Sequence, residues 1–477
     1  MRKKFYLTTA IPYVNASPHL GFALEVVQAD VIARYQRSLD NDVYFLAGTD
    51  ENALKNVQAA KKEGINTQQL VDRNSQKFYE LKKALNLTYD DFIRTTEKRH
   101  LKGSQALWQA CKKEDIYKKQ YQGLYCVGCE AYYTKKDLID GKCPEHKKEP
   151  DMVEEENYFF RLSKYQDWLE DLISTDKLKI IPQTRKNEVL AFIHRGLEDF
   201  SISRTIKRAH SWGIPVPGDP KQIIYVWFDA LANYITALGW HNKDKLFQKY
   251  WPADLHIIGK GITRFHAIYW PAMLKSAGIP LPKKEFVHGY ITIEGEKISK
   301  SLGNVINPFE LVKKYGVDAI RYYLLREIPA YGDGDFSISR FKELYNADLA
   351  NGLGNLVARV AKLCETKNCS PQISFPTTIS DELENHRYHT HLECYEFNLA
   401  LEAIWRIIKD TDVLIDTEKP WTKSDIEVKN CLSNAVQNIL DIAYALQPFL
   451  PKTAKRIKKQ LTGSKIKSAE PLFPRIK

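Results

Sequence analysis

The first hundred residues alternate short apolar runs with longer amphipathic segments. Apolar runs cover residues 4–10 and 42–47, and helical periodicity covers residues 19–38 and 67–87. A strand followed by a helix that leads to the next strand is the repeating unit of a parallel sheet. The pattern therefore predicts an α/β fold with a Rossmann-like parallel sheet at the start of the chain.

The middle of the chain breaks this alternation. Between residues 116 and 220, prolines, charge runs and a group of cysteines and histidines replace the regular periods, which indicates an insertion. Strand-like runs return at residues 223–228, 255–258 and 286–293. We therefore expect the second half of the sheet to follow the insertion, so that one domain is split in two.

After residue 331, apolar residues recur three or four positions apart, which predicts amphipathic helices that pack as an antiparallel bundle. The chain is thus expected to contain five segments. They are the first half of the Rossmann-like domain at 1–115, the insertion at 116–220, the second half of that domain at 221–318, a junction at 319–345 and a helical domain at 346–477.

Composition is that of a globular protein, and charge adds one hint about its partner. The 477 residues are 44% hydrophobic and 27% charged, which suits two or three packed units. An excess of 70 Lys and Arg over 59 Asp and Glu gives a net charge of +11. This favours a polyanionic partner such as a nucleic acid, although a solvated basic surface is an equally simple explanation.

The chain has no sequence signal for a membrane or for secretion. No run of about 18 apolar residues is present to span a bilayer. The basic and briefly apolar N-terminus is interrupted by Pro12, so we interpret it as a first strand and not as a signal peptide. Most of the eight cysteines are scattered, which suits the reducing environment of the cytoplasm.

Four residues in the predicted insertion have the spacing of a zinc site. Cys126 and Cys129 form one pair, Cys143 and His146 form another, and thirteen residues separate the pairs. Two such knuckles supply four ligands for tetrahedral zinc and leave no vacant position for water, so the site is predicted to be structural. The alternative is three unrelated thiols and a surface histidine.

Two further segments suggest phosphate chemistry. Pro18-His19-Leu20-Gly21 follows the first predicted strand and opens a helix, where free N–H groups and the helix dipole favour an anion. A loop at 296–304 contains Lys297 and Lys300 among serines, and such a cationic loop can follow charge that develops on a polyphosphate. Taken singly, His19 is better explained as a helix cap or surface residue, and the loop is better explained as a solvated basic loop.

Together, the two segments resemble the paired signatures of class I aminoacyl-tRNA synthetases. The resemblance extends over essentially the whole chain and is to methionyl-tRNA synthetases in particular. The segments similar to that family are residues 48–51, 125–129, 201–204, 212–215, 225–230 and 265–271. The resemblance implies an enzyme that activates methionine with ATP, assisted by Mg²⁺, and transfers it to the 3′-terminal ribose of tRNA(Met), including initiator tRNA.

The resemblance also implies which residues form the sites. His19, Lys297 and Lys300 would be catalytic. The ATP-binding residues would be His19, Gly21, Glu25, Lys260, Lys297, Ser299 and Lys300. The methionine-binding residues would be Ile11, Tyr13, Asp50, Trp227, Ala230, Tyr234, Ile262 and His266, with Asp50 pairing the ammonium group. Aromatic and aliphatic walls with one carboxylate suit an unbranched thioether amino acid.

In the helical region the resemblance assigns anticodon binding to Asn355, Arg359 and Trp421. Asn355 and Arg359 lie four residues apart on the edge of an apolar stripe, so they can face solvent together. An amide, a guanidinium and an indole are suited to hydrogen-bond and stack unpaired bases. The alternative for Trp421 is that it fills the interior of the bundle. Because the chain ends soon after this region, we expect a monomer, with no membrane partner.

The sequence departs from the family at several positions near the expected nucleotide. Phe22 replaces a histidine, Asn52-Ala53 replaces His-Gly, and Gly261 replaces an aspartate. Because a phenyl ring cannot donate to a phosphate, we expect Asn52, Lys260 or Arg264 to supply that hydrogen bond. Two alternatives stay open, namely a tRNA-binding or regulatory relative with weakened catalysis and a synthetase for another amino acid.

The cysteine spacing yields a first prediction. Protein purified without a chelator should contain about one zinc ion per chain, because two knuckles at this spacing form a closed tetrahedral site. Elemental analysis by mass spectrometry measures this directly. Wild-type protein that is folded but free of metal would contradict the zinc assignment.

Overall fold

The computed structural model of the protein describes residues 2–128, 131–133, 137–144, 147–298 and 303–477. It divides into two compact units. The first unit consists of Met1–Pro18, Gln36–Lys83 and Leu87–His288. The second unit consists of His19–Tyr35, Ala84–Asn86 and Gly289–Lys477.

Strands and helices alternate over the first part of the chain, and helices predominate after residue 308. The strands are β1 (Lys4–Thr9), β2 (Asp42–Thr49), β3 (Asp91–Arg94), β4 (Ile116–Cys126), β5 (Ala131–Tyr133), β6 (Asp151–Phe160), β7 (Lys179–Ile181), β8 (Phe200–Ser201), β9 (Ser203–Thr205), β10 (Pro215–Val216), β11 (Asp219–Ile224), β12 (Leu255–Gly259), β13 (Lys284–His288), β14 (Ile291–Ile293), β15 (Glu296–Lys297) and β16 (Gly334–Phe336).

Helix α1 (Leu20–Ser38) lies mainly in the second unit, and only its last three residues belong to the first. The other helices of the first unit are α2 (Leu54–Glu63), α3 (Thr67–Ala84), α4 (Lys98–Ala110), α5 (Gln166–Ser174), α6 (Gln183–His194), α7 (Val226–Leu231), α8 (Asn233–Thr236), α9 (Lys245–Tyr250) and α10 (Trp270–Ser276). The other helices of the second unit are α11 (Pro308–Tyr315), α12 (Val317–Arg326), α13 (Ile338–Leu344), α14 (Asn355–Thr366), α15 (Asp381–Asn385), α16 (Tyr388–Glu393), α17 (Phe397–Glu418), α18 (Asp425–Ala445) and α19 (Pro451–Leu461). Wider π-helical turns occupy Phe265–Tyr269 and Tyr345–Gly354.

The first unit is built on a six-stranded parallel sheet in the order β3-β2-β1-β12-β13-β7. The predicted parallel sheet is therefore confirmed, and its two halves join where β12 pairs with β1. Tyr6, Leu7 and Ile257 on these central strands are fully buried, as expected for strands covered on both faces. The strand order reverses between β1 and β12, which places a crevice at the carboxyl ends of those two strands.

Two expectations about strands are wrong. Residues 223–228 do not form a strand of the main sheet, because β11 pairs antiparallel with β9 and β10, and α7 begins at Val226. Conversely, β7 lies within the segment expected as an insertion, yet it joins the edge of the parallel sheet beside β13. A buried apolar run of six residues has no period that separates strand from helix, and a strand of three residues has no period at all.

The expected strand at 286–293 is divided between the two units. β13 ends at His288, and β14 belongs to a small sheet with β15 and β16. Gly289 lies at the break, where a Cβ atom would come within 2.0 Å of the Gly332 carbonyl oxygen. Only glycine permits this close approach of two backbone segments.

A four-stranded antiparallel sheet, β5-β4-β6-β8, occupies most of residues 116–160 and returns at Phe200–Ser201. Its main ladder pairs Ile116 with Phe160 at one end and Tyr125 with Asp151 at the other. Cys126, the last residue of β4, therefore lies at the end of the long hairpin formed by β4 and β6.

The apolar stripes predicted after residue 331 are buried. Val360, Leu401 and Ile439, one from each of α14, α17 and α18, have no exposed surface. Since a short connection joins α17 to α18 and the two helices contact each other, they run antiparallel. A capping box, in which Ser424 and Glu427 bond each other's backbone N–H groups, starts α18. In the residues that the structure describes, no helix is long and apolar enough to cross a membrane.

A buried ion pair ties together the elements of the second unit. Arg321 on α12 contacts Asp30 on α1 at 2.8 Å, and neither side chain has any exposed surface. The guanidinium also donates to the carbonyl oxygens of Pro448 and Phe449 at 2.8 and 2.7 Å. Burial lowers the pKa of Arg321, and the negative charge of Asp30 opposes that effect. One cation therefore joins α1, α12 and the turn that precedes α19.

Replacing Arg321 with methionine should destabilise the second unit. The change leaves carbonyl oxygens and a carboxylate buried with fewer partners, which typically costs about 3–5 kcal/mol. Urea unfolding of the intact chain measures the effect. Arg406→Met is a matched control, since Arg406 forms an exposed ion pair with Glu402 that should contribute at most about 1 kcal/mol. Equal losses in the two variants would contradict the role given to Arg321.

Candidate functional site

The crevice of the first unit receives residues from three strands. Ile11 and Tyr13 follow β1, Asp50 follows β2, and Lys260 follows β12. Gly48 allows β2 to lie close to its neighbour, because a Cβ there would come within 2.3 Å of the Ile93 carbonyl oxygen. The carboxyl ends of adjacent parallel strands thus bring these positions, far apart in sequence, to one edge of the sheet.

Asp50 is held by the segment after β1. Its backbone N–H donates to the Pro12 carbonyl at 2.8 Å, and Tyr13 and Asp50 form a parallel bridge. The Asn52 N–H donates to Asp50 Oδ1 at 3.2 Å, and only 1% of Asp50 is exposed. A buried carboxylate at this edge is positioned to pair a cationic group that enters the crevice.

An aromatic wall stands beside this carboxylate. Trp227 on α7 stacks on Phe265 with ring centroids 3.9 Å apart and planes within 5°, and its edge meets Tyr13 at 6.4 Å. Trp227 is half-buried, whereas Ala230, one turn later on the same helix, is buried. Phe265 and His266 belong to the π-helical turn, a local widening that often occurs at functional sites.

The hydrogen bonds of His266 fix its tautomer. Its Nδ1 lies 3.1 Å from the Ile262 carbonyl oxygen, which can only accept, so Nδ1 holds the proton. Burial lowers the pKa of His266 to about 4, so at neutral pH its Nε2 accepts from the Tyr234 hydroxyl at 2.8 Å. The wall formed by Tyr234, Ile262 and His266 is therefore uncharged. The Tyr234 hydroxyl donates to His266 and the His266 N–H donates to the Ile262 carbonyl, so both polar hydrogens have an acceptor.

A second neutral histidine supports this wall from below. His256 lies on β12 with its ring 4.3 Å from that of Tyr234, and its Nδ1 is 2.7 Å from Thr8 Oγ1 on β1. Burial holds the pKa of His256 well below its usual range. In addition, Tyr6 donates its hydroxyl to the Tyr234 carbonyl at 2.7 Å. The position of Tyr234 is thus fixed from β1 as well as from β12.

Asn52 links the loop of Asp50 to the helix of Trp227. Its amide nitrogen donates to Asp229 Oδ2 on α7 at 2.7 Å and to the Thr95 carbonyl at 3.2 Å, which uses both amide hydrogens. Asp229 Oδ1 in turn meets His100 Nε2 at 2.5 Å, with both side chains buried. Of the three groups expected to compensate for the missing histidine, Asn52 is therefore engaged within the protein.

This linkage was not predicted from the sequence. Asp229 lies within the segment 225–230 that resembles the family, but nothing in the sequence pairs it with His100 or Asn52.

The two other candidates to replace the missing donor, Lys260 and Arg264, lie close together in the chain. Lys260 is half-buried and its carbonyl accepts from Thr263, while the Arg264 guanidinium lies 4.9 Å from the Phe265 ring.

The second unit contains the other signature. The Gly21 N–H donates to His19 Nδ1 at 3.1 Å, so the histidine does cap the start of α1. Burial lowers the pKa of His19, and a neutral ring that accepts at Nδ1 must hold its proton on Nε2. A Cβ at Gly21 would lie 3.0 Å from His19 Cε1. Glycine at this position therefore leaves room for the imidazole.

The remaining residues of the expected nucleotide site are only partly described. Glu25 is buried on α1, Phe22 is half-buried one turn earlier, and Lys297 on β15 is exposed. The Lys297 carbonyl accepts from the Asn304 amide at 3.1 Å. Ser299 and Lys300 lie outside the described residues.

Two of the four expected zinc ligands can be located. Cys126 and Cys143 are both buried, and the Cys143 carbonyl accepts from the Lys147 N–H at 2.8 Å. Cys129 and His146 lie outside the described residues. Within the ranges that are described, no group of three or more His, Cys, Asp or Glu side chains is placed to hold a metal ion.

Of the three residues expected to bind an anticodon, Arg359 and Trp421 lie close together. The Arg359 guanidinium is 5.7 Å from the centre of the Trp421 ring and 2.5 Å from Asp416 on α17. Asn355 is exposed at the start of α14. Trp421 is 47% exposed, so the alternative in which it fills the interior of the bundle is wrong.

Comparisons with known proteins agree with this geometry. The family model described as tRNA synthetases class I (M) matches residues 5–150 and 136–361. The methionine--tRNA ligase of Brucella suis is 43% identical over 99% of this chain and 98% of its own length. That of Thermotoga maritima is 41% identical over 99% of this chain and 80% of its own. This chain belongs to the methionyl-tRNA synthetase family.

Solved structures of the family share the fold. A Mycobacterium tuberculosis methionyl-tRNA synthetase in complex with methionyl-adenylate superposes with a TM-score of 0.90 at 39% identity, covering 99% of this chain and 100% of that one. Its apo form superposes with a TM-score of 0.83 at 36% identity. The α/β architecture with a parallel sheet is therefore that of the family, and the resemblance inferred from the two signatures is confirmed.

The buried neutral state of His266 predicts how stability depends on pH. Since the pKa of this histidine falls from 6.5 to about 4 on folding, only the unfolded chain binds the proton between these values. The contribution of neutral His266 to the free energy of unfolding should be complete above about pH 6.5. It should fall by up to about 1.4 kcal/mol per pH unit as the pH drops towards 4.

Unfolding in urea between pH 7.5 and 4.5 tests this dependence. His266→Gln keeps a hydrogen-bonding side chain that does not titrate, and all other groups, including His256, are common to both proteins. The stability of the wild type relative to this variant should therefore decrease on acidification. A difference that stays constant with pH would show that His266 is not held neutral.

Proposed function

We propose that this protein is a methionine–tRNA ligase, which forms methionyl-adenylate from methionine and ATP and then transfers the methionyl group to tRNA(Met), including initiator tRNA. The observation that supports this most directly is the crevice of the first unit, where one buried carboxylate, Asp50, stands beside the uncharged aromatic wall of Trp227, Tyr234 and His266. Family membership supports the same conclusion.

The methionine site follows from the chemistry of these groups. Asp50 pairs the substrate ammonium, and the side chain extends along a wall of the other proposed residues, Ile11, Tyr13, Trp227, Ala230, Tyr234, Ile262 and His266. A thioether sulfur is polarizable and makes favourable contacts with aromatic rings. A protonated histidine in that wall would favour an anionic side chain, so the low pKa of His266 is itself a specificity feature.

The ATP site is proposed to involve His19, Gly21, Glu25, Lys260, Lys297, Ser299 and Lys300. An oxygen of the methionine carboxylate attacks the α-phosphorus, the bond from that phosphorus to the bridging oxygen breaks, and pyrophosphate leaves. His19 Nε2–H can donate to a phosphate oxygen, and the lysines hold charge that develops on the leaving group. Mg²⁺ bound with the nucleotide would neutralise part of the phosphate charge.

Transfer then needs no protein nucleophile. By analogy with class I enzymes, the 2′-hydroxyl of the terminal ribose attacks the carbonyl carbon of the adenylate, and AMP leaves with the electrons of the broken bond. The hydroxyl proton passes to the phosphate released on AMP or to water. Positioning of the reactants is the main contribution of the protein to both steps.

The finer organisation is proposed in the same way. Residues 116–220 would be a connective insertion with structural zinc on Cys126, Cys129, Cys143 and His146, and residues 346–477 would bind the anticodon through Asn355, Arg359 and Trp421. Residues 1–115 and 221–318 would be the two halves of the catalytic domain, joined to the helices by residues 319–345. We further propose that the enzyme is monomeric and acts in the cytoplasm.

One observation favours a second candidate, a tRNA-binding or regulatory relative with weakened catalysis. Phe22 cannot donate to a phosphate, and Asn52 is already bonded to Asp229 and Thr95. The loss of one preorganised donor typically lowers a rate by about 10²–10³. Lys260 and Arg264 are the remaining groups near the departures from the family that can compensate.

Pyrophosphate exchange with each amino acid in turn tests the proposal. We expect exchange with methionine alone. His19→Ala should lower the exchange rate at least about tenfold with little change in the KM for methionine, because it removes a contact that strengthens in the transition state. Phe22→His should cause only a modest gain or a loss. If the wild type is inactive and Phe22→His restores exchange strongly, the regulatory alternative is correct.

A further inference from the structure

The densest positive charge in the chain lies on α19 and the segment that follows it. Residues 451–467 include six lysines and one arginine but no aspartate or glutamate, a net +7 in a chain whose total is +11. All six lysines are exposed, and together we call them the lysine strip: Lys452, Lys455, Lys458, Lys459, Lys465 and Lys467.

The lysine strip is not neutralised by the rest of the protein. Among the residues that the structure describes, none of the six has an ion-pair partner, and only the side chain of Lys458 has a further contact, 4.3 Å from the centre of the Phe375 ring. Lys455 and Lys459 are one turn apart on the same helix, where like charges repel. Such an arrangement weakens the free protein slightly and therefore points to an external polyanion.

The opposite, apolar face of α19 is buried in the protein. Ala454, Ile457 and Leu461 are at most 1% exposed, so the helix has no apolar side chains left to enter a lipid bilayer. The one arginine of the segment, Arg456, donates to the carbonyl oxygens of residues 470–472 and holds the C-terminal segment in place. A charged face without exposed apolar side chains fits an array of phosphates better than the interior of a membrane.

The segment that carries Lys465 and Lys467 contacts the helix of Arg359. Beyond α19, the Ile466 N–H donates to Ser370 Oγ at 2.9 Å, and the Ser468 hydroxyl donates to Glu365 on α14 at 2.8 Å. Glu365 and Arg359 are six residues apart on that helix, about 9 Å along its axis. Within the second unit, the end of the strip therefore lies beside the helix that carries Arg359.

We infer that the lysine strip binds the phosphate backbone of the tRNA beside the bases that Arg359 and Trp421 contact. The inference rests on the proposed function, since it assumes that the RNA partner is a tRNA. Exposed lysines gain by releasing the counterions condensed on phosphates, so they contribute affinity that is independent of sequence and decreases with salt. Arg359 and Trp421 would supply base recognition, and the lysine strip would supply attraction and alignment.

The test measures binding of a tRNA(Met) transcript to the full chain from about 50 to about 200 mM KCl. The variant Lys452→Gln/Lys455→Gln/Lys459→Gln removes three charges and spares Lys458. The matched control, Lys61→Gln/Lys62→Gln/Lys98→Gln, removes three exposed charges from α2 and α4 in the first unit. A third variant with arginine at positions 452, 455 and 459 retains the charge.

We expect the wild type, the control and the arginine variant to share one salt dependence. Each lost phosphate contact lowers the slope of log K against log salt by about 0.7–0.9, so over this range the wild type should weaken about twentyfold to fortyfold more than the glutamine variant of the strip. Trp421→Ala should reduce binding at every salt concentration without changing the slope. This result would assign bases to one site and phosphates to the other.

Two outcomes would overturn the inference. One is a glutamine variant of the strip that binds tRNA with the wild-type slope. The other is binding of the wild type to vesicles of phosphatidylserine and phosphatidylcholine that is lost in this variant while tRNA binding is unchanged. Methionine-dependent pyrophosphate exchange by the wild type needs no tRNA, so it reports on the proposed function separately from the lysine strip.

Discussion

The buried contact of Arg321 with Asp30 is the interaction on which the second unit depends most. Removing two charges from water is costly, and the cost is recovered only because the guanidinium also meets three backbone carbonyls, those of Leu85, Pro448 and Phe449. Asp30 is further held by Arg34 at 2.7 Å. These partners come from separate parts of the chain, so the pair forms only when α1, α12 and the turn before α19 have all assembled.

The position of Asp30 on α1 gives this ion pair a functional consequence. His19 starts the same helix, and its ring is oriented by the Gly21 N–H at the first turn. Because a helix is rigid, fixing its middle at Asp30 also fixes the position of its first turn. The core of the second unit therefore determines the orientation of the His19 Nε2–H. Stability in the interior and geometry at the proposed nucleotide site are therefore produced by the same helix.

The first unit uses burial in another way, to set protonation states. His256 and His266 are both fully buried, and both pKa values are lowered because a charged imidazole would lose its hydration. Tyr234 lies between them, with its ring packed against that of His256 and its hydroxyl hydrogen-bonded to His266. The neutral wall proposed for the methionine side chain thus results from the sheet beneath it. Asn52 adds a second constraint, because it joins the loop of Asp50 to α7 through Asp229.

The sequence by itself determined the features that local periodicity and spacing encode. Alternating periods predicted the parallel sheet, apolar stripes predicted the buried faces of α14, α17 and α18, and two signatures far apart in the chain identified the family. Tertiary structure alone decided the rest. Residues 223–228 became a strand end followed by a helix, because an apolar run specifies burial but not the partner that buries it. The three residues of β7 joined the main sheet because an edge was available there. Likewise, the neutral state of His266, the bond from Asn52 to Asp229 and the exposure of Trp421 depend on neighbours from distant segments, which no local pattern specifies.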